Sequence, residues 1–194
     1  MILNTAYIFI LILIAVVLAS QMIKNEVVYT KSNIDENMYL VRNLEDKLVA
    51  ANMLSILKTN MFKLVDHLKE NREDFKDEEQ YIDQLVKNIK YVDVKESGED
   101  SLYTSYSVNK GEEIFFCLRS KRVKNKFHDI NLIMYVALHE LAHVATPERG
   151  HTSLFNKNFE FLASQAVKIG IYDKINFNDN PLEYCGLMIT ASII

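Results

Sequence analysis

The 194-residue chain has little cysteine, little proline or glycine, and no excess of positive charge. Its two cysteines, Cys117 and Cys185, stand far apart, which excludes a disulfide-stapled secreted scaffold. They form no C-x-x-C pair, so a closed structural zinc site has no support from spacing. Both read as reduced thiols, with Cys117 on a strand. A formal net charge of −4 argues against a nucleic-acid-binding surface. The one basic run, Arg119 to Lys126, reads as a solvated loop rather than a phosphate-binding patch. No internal repeat or low-complexity segment is present, and the length suits one domain with an appendage.

Charge is also missing from the N-terminus. Between Met1 and Ile23 no side chain is charged, and Lys24 is the first. The dense apolar run, Ala6 to Ala19, is long enough with its flanks to cross a hydrocarbon core of about 30 Å. A cleaved signal peptide is the competing reading, since Val17-Leu18-Ala19 resembles a cleavage site. The lack of a basic segment before the run favours an uncleaved anchor. Lys24 and Lys31 follow the span and only the α-amine precedes it. That asymmetry, together with the thiols, places the domain that follows on the cytoplasmic side.

Residues 24–37 are polar and mixed, and read as a linker. Leu44, Leu48, Ala51, Leu54, Leu57, Met61, Leu64 and Leu68 then recur at three and four residues, one face of a long helix. Tyr81, Ile82, Leu85, Val86 and Ile89 mark a shorter one. Residues 97–100 are a turn. Tyr103 to Val108 and Ile114 to Leu118 are β-rich runs joined by Asn109-Lys110-Gly111-Glu112, a hairpin. Such a strand can bind an extended substrate by adding it to the sheet edge. Asp129 is the expected N-cap of a helix from about Ile130 to Ala145, ended near Pro147. Phe155, Phe159, Leu162, Ala163, Ala166 and Ile169 mark a last helix, ended near Gly170. The remainder reads as irregular.

The chemistry sits in His139-Glu140-Leu141-Ala142-His143, an H-E-x-x-H pattern inside an apolar run. At about 100° per residue, His139 and His143 lie one turn apart on one helix face and can reach one metal ion. Glu140 can polarise a water beside that ion and act as general base, then acid. Two histidines and a glutamate on a buried apolar helix are costly without partners, and a metal supplies them. A catalytic zinc site uses three protein ligands. His151 is the choice for the third, because Gly150 lets the chain turn back after the helix break. Glu148, Glu160 and a more distant acid stay open. His128 lies at the far end of the same helix or beyond it, out of reach of the metal, and His67 reads as a surface residue. Tyr103, Tyr106 and Tyr184 are possible donors to a developing oxyanion.

These residues, with Gly150-His151 and Phe155, resemble the WLM-type and SprT-like zinc metallopeptidases. The chain is similar in particular to small membrane-anchored WLM-like proteins of nucleocytoplasmic large DNA viruses. That likeness runs from Val41-Arg42-Asn43-Leu44 onward. It takes in residues 103–112, Phe116-Cys117-Leu118-Arg119, Pro181 to Gly186 and Ile189-Thr190. The resemblance implies a zinc ion on His139, His143 and His151, with Glu140 as catalytic acid/base. It also implies an α+β fold: a zincin-like minimal metallopeptidase domain over 38–194, mostly helical with a β-hairpin or small sheet, after a transmembrane helix at 1–23. The expected function is a membrane-anchored zinc endopeptidase acting on a protein or peptide, in virion assembly or maturation. The resembling families are associated with proteolysis of proteins crosslinked to DNA. That substrate class is not carried over to an acidic, tethered chain without a DNA-binding tail. The alternatives are a zinc-stabilised structural or interaction protein of a viral membrane, and a soluble exported protease.

Overall fold

A 24-residue helix whose apolar side chains fall on one stripe has to bury that stripe or self-associate. In the computed structural model of the chain, which describes residues 7–14 and 26–194, it buries the stripe. The helix, α1, runs Lys47–Glu70. Ala50, Ala51, Leu54, Leu57, Met61, Leu64 and Leu68 are fully enclosed. It is the one helix among the described residues long and apolar enough to cross a membrane. Its enclosed stripe makes it a core helix instead. Leu48, expected on the buried face, is exposed in its first turn.

Around α1 the chain forms a mixed α+β fold. Before it come β1 (Val27–Lys31) and β2 (Met38–Arg42), paired antiparallel from Val27 opposite Arg42 to Lys31 opposite Met38. The sequence placed residues 27–31 in a linker. Their strand is short and owes its existence to pairing with β2, so a local reading hid it. After α1 come a 3-10 turn (Arg72–Asp74), α2 (Glu79–Ile89) and β3 (Asp93–Glu96). Then follow β4 (Ser105–Val108) and β5 (Glu113–Phe116), the expected hairpin. The sheet order is β3-β5-β4, with β3 parallel and β4 antiparallel to β5, so β4 is an edge strand. Two helices follow, α3 (Ile130–Ala145) and α4 (Ser153–Lys168), packed together. A small hairpin of β6 (Leu182–Tyr184) and β7 (Leu187–Ile189) lies in the stretch expected to be irregular.

The basic run is only partly a solvated loop. Arg119 is buried, and its guanidinium forks onto both carboxylate oxygens of Asp46 at 2.7 and 2.8 Å. Its Nε donates to Glu96 at 2.9 Å, and its face covers the Phe127 ring at 3.9 Å. The second Glu96 oxygen accepts the Arg42 backbone N–H at 2.7 Å. One buried charge cluster thus ties the start of α1 to β2, to β3 and to the segment after β5.

The cysteines are not free. Cys117, just past β5, is bonded to Cys185 in the β6–β7 turn, across a sequence separation of 68. This corrects the expectation of reduced thiols, and the thiol argument for a cytoplasmic domain falls with it. Pairing at that separation depends on the fold bringing the two Cα atoms to 5.9 Å. The proposed anchor at 1–23 lies outside the described residues except for 7–14, which are helical with their apolar side chains exposed.

Two outcomes are expected. Arg119→Met leaves Glu96 as an uncompensated buried charge and should cost about 3–5 kcal/mol, read from urea unfolding midpoints. Chain purified without reductant and then unfolded should show no titratable thiol, and two after reduction. Two thiols before reduction would restore the original reading.

Candidate metal centre and cleft

Helix α3 starts where expected. Asp129 caps it, accepting the Asn131 N–H at 2.8 Å. All of its residues are buried except Ile130, Asn131, His139 and His143. The two histidines face one way, with their Nε2 atoms 3.2 Å apart. The helix ends at Ala145, and Gly150 takes φ +82, which a residue with a Cβ rarely adopts. That turn returns His151, which stands just before Thr152, the N-cap of α4, whose hydroxyl accepts the Phe155 N–H. The His151 Nε2 lies 3.1 Å from that of His139 and 3.2 Å from that of His143.

Three ring nitrogens converging on one point cannot satisfy one another. A protonated Nε2 donates and cannot accept, so at most one of them can act as the donor within the group. A cation resolves the conflict. Zinc–nitrogen bonds of about 2.0–2.1 Å in tetrahedral geometry put ligand atoms about 3.3 Å apart, close to the observed spacing. Burial, with the charges of the neighbouring imidazoles, pulls His139 down to about 3. Burial, with His151 and Lys110, pulls His143 down to about 4. Both therefore stay neutral at pH 7, the form a metal binds. The donor set fits zinc, and these three are the group of possible ligands that the described residues offer. Glu148 lines the cleft without joining them, and Glu160 is on the exposed face of α4. Phe155 supports all three rings, with centroids 4.3–4.9 Å away.

Glu140 is buried yet lines the same cleft. Burial alone pushes its carboxyl up to about 7, with no donor offsetting it. The cleft holds about 780 Å³. One wall is β4, and the opposite wall is α3 with the β6–β7 hairpin. Of the three tyrosines considered, Tyr106 and Tyr184 line it, while Tyr103 is largely exposed outside it. The buried Tyr184 hydroxyl lies 2.6 Å from Ser105 Oγ on β4. Burial and the nearby Glu140 charge both raise the phenol above its ordinary value. His128 stays out of the site, and its Nε2 accepts the Cys185 N–H at 3.1 Å. His67 is half-buried and bonded to Gln165 and Asn71, not to the site.

The sequence reading missed Lys110, which it took for a loop residue. Its Nζ donates to the carbonyls of His143, Thr146 and Glu148, at 3.2, 2.7 and 3.2 Å. One ammonium thus gathers the free carbonyls at the end of α3 and of the segment leading to His151. The hairpin tip can approach because residue 111 is glycine. A Cβ there would meet the Val144 methyls at 3.1 and 3.2 Å, and φ is +112. Gln84 adds a bond to the Val144 carbonyl at 2.8 Å. Asn109 and Gly111, residue types that tolerate the positive φ found at all three of Asn109, Lys110 and Gly111, were the available signal of so tight a tip.

Comparison with known proteins agrees with this architecture. The WLM domain profile matches residues 47–177. An uncharacterized protein of Acanthamoeba polyphaga mimivirus is 45% identical over 175 residues, covering 90% of this chain and 88% of that protein. An uncharacterized protein of Invertebrate iridescent virus 6 is 38% identical over 71 residues, 36% of this chain and 39% of its own. Among solved structures, Wss1 from Saccharomyces cerevisiae superposes with a TM-score of 0.50 at 22% identity. The match covers 66% of this chain and 86% of Wss1, a likeness of fold.

Lys110→Met should leave three carbonyls without their donor and loosen the His151 loop. Zinc affinity, measured by competition with a chromophoric chelator, should fall about 10–100-fold, the range for lost supporting contacts around a metal site. Unchanged affinity would show that the clamp does not position the ligands.

Proposed function

The chain belongs to the WLM domain family, a family of metallopeptidase type, and we propose that it is a zinc-dependent endopeptidase with a zincin-like domain. The observation that carries the proposal is one cleft containing three converged imidazole nitrogens, a buried carboxylate and an edge strand. His139, His143 and His151 would hold the ion. Bound there, zinc supplies a Lewis acid that acidifies water and polarises a carbonyl.

The chain's own groups do the rest. β4 receives an extended segment of protein substrate on its free edge and lays the scissile carbonyl over the histidines. Glu140 takes a proton from the attacking water as its oxygen adds to the carbonyl carbon. The same carboxyl then gives that proton to the departing nitrogen as the C–N bond breaks, releasing a carboxylate and an amine. The Tyr184 hydroxyl beside Glu140 serves the developing oxyanion by turning its proton away from Ser105 Oγ, which itself donates to the Thr104 carbonyl. Phe155 and Phe159 keep the back of the imidazoles dry.

The exposed apolar helix at 7–14 supports the further proposal that residues 1–23 hold the domain to a membrane. Relatives encoded by large DNA viruses support a role in virion assembly or maturation.

Glu140→Gln tests the mechanism. The variant should retain one zinc per chain by metal analysis and lose at least about 10³-fold in cleavage of a denatured test protein. Zinc retention with no cleavage by the unaltered chain either would point to a zinc-stabilised structural protein.

A further inference from the structure

Residues 119–127 form a small loop closed by an antiparallel bridge between Arg119 and Phe127. The Ser120 N–H donates to the Lys126 carbonyl at 2.8 Å, and Ser120 Oγ accepts the N–H groups of Arg122 and Val123 at 3.0 Å. Arg119 buries the base of the loop, but every residue from Lys121 to Lys126 is exposed. Lys121, Arg122, Lys124 and Lys126 are cationic there, and Val123 is apolar. Two neighbouring turns lie against this loop. Lys121 Nζ donates to the Ser101 carbonyl at 2.6 Å, next to Leu102 and Tyr103. Arg122 donates to the Gly186 carbonyl at 3.0 Å, next to Leu187 and Met188. Those four neighbours are exposed as well, Leu102 at 95%. Three tips are thus joined into one surface that mixes exposed apolar side chains with cations.

Apolar side chains grouped in water mark a surface that something covers, and cations beside them select an anionic cover. Three nearby acids are already engaged. Glu99 pairs with Arg42, a Glu26 oxygen accepts the Glu99 N–H, and Glu183 accepts from Ser120 Oγ and from the Gly186 N–H. Asp100, exposed in the turn before Ser101, offsets one of the four cations. The point where the chain enters the domain identifies the occupant. Glu26 is the first residue described after the apolar run, and its partner Glu99 lines one hollow with Lys121, Arg122 and Lys124. Three residues of chain reach at most about 11 Å, so Ile23 stays within that distance of Glu26. Resting on the anchor reading, we propose that this surface docks on the anionic headgroups of the bilayer that residues 1–23 enter. Leu102 and Val123 reach below the headgroups, and the lysines lie among them. Docking holds the domain in one orientation. Because Leu187 also lines the cleft, the cleft then opens beside the membrane surface.

The chain contains no tryptophan, so Leu102→Trp and Val123→Trp each install a single reporter at an exposed position outside the cleft. The full-length variants are reconstituted in phosphatidylcholine vesicles with or without phosphatidylserine. Brominated acyl chains should quench both reporters in the anionic vesicles, and added salt should weaken the quenching. Lys124→Gln and Lys126→Gln should each lower the docked-to-free ratio about fivefold, the worth of one cation at an anionic surface. Alkaline extraction of the same samples reads the anchor separately. Quenching of a chain that alkali strips from the vesicles upholds the docking surface and sinks the anchor. A chain retained through extraction with both reporters left in water overturns the docking and keeps the anchor. Neither retention nor quenching sinks both. Equal quenching in neutral vesicles, or reporters shielded by an oligonucleotide and not by vesicles, would also overturn the proposal, the latter assigning the surface to nucleic acid.

Discussion

A helix that must be buried almost all round, and must still present two imidazoles and a carboxylate to a cleft, constrains everything placed around α3. Its apolar residues satisfy the core, as twelve of its sixteen positions are buried. The polar ones then lie where desolvation is severe, and Glu140 and His139 show it in their shifted protonation. A fold can tolerate this only if the exposed edge of the helix faces a site that gives those groups work. The convergence of His139, His143 and His151 on one point supplies that site. The remaining architecture holds its geometry.

Three supports do so from different directions. Phe155 and Phe159 on α4 back the imidazoles, so the helix that follows His151 also packs the ring faces. The hairpin tip supports the other end of α3, where Gly111 permits the approach and Lys110 collects three carbonyls. The same hairpin contributes β4, so the strand that would carry substrate is referenced directly to the ligand-bearing helix. A third support, the β6–β7 hairpin, is tied by the disulfide to the end of β5 and brings Tyr184 beside Glu140. Far from the cleft, the Asp46–Arg119–Glu96 cluster locks α1 and β3 together, which keeps the sheet in place against the helices.

The parts legible in the chain were those decided by local spacing. The four-residue interval between His139 and His143 sets them on one face whatever the fold. Asp129 as cap, Gly150 as the turn and the 109–112 loop were legible because short-range backbone geometry demands those residue types. α1 showed through its stripe, although Leu48 broke it, since the first turn of a helix can project beyond the core. Strands β1, β2, β3, β6 and β7 did not show. Each has three to five residues, and each owes its pairing to a partner rather than to its own pattern. The basic run misled for a similar reason: a solvated Arg119 and a buried one look the same until Glu96 and Asp46 are brought beside it.

By itself the sequence determined the helical motif, its cap and break, the hairpin and the identity of two nitrogen donors, because each depends on contacts within a few residues. Tertiary structure decided the rest. It brought His151, and not Glu148 or Glu160, to the nitrogens of His139 and His143, bonded Cys117 to Cys185, turned Lys110 from a loop residue into a clamp and placed apolar and charged residues at different ends of the cleft. The clamp and the disulfide join residues 33 and 68 positions apart. They follow from which surfaces the core brings together, which no local window of the chain contains.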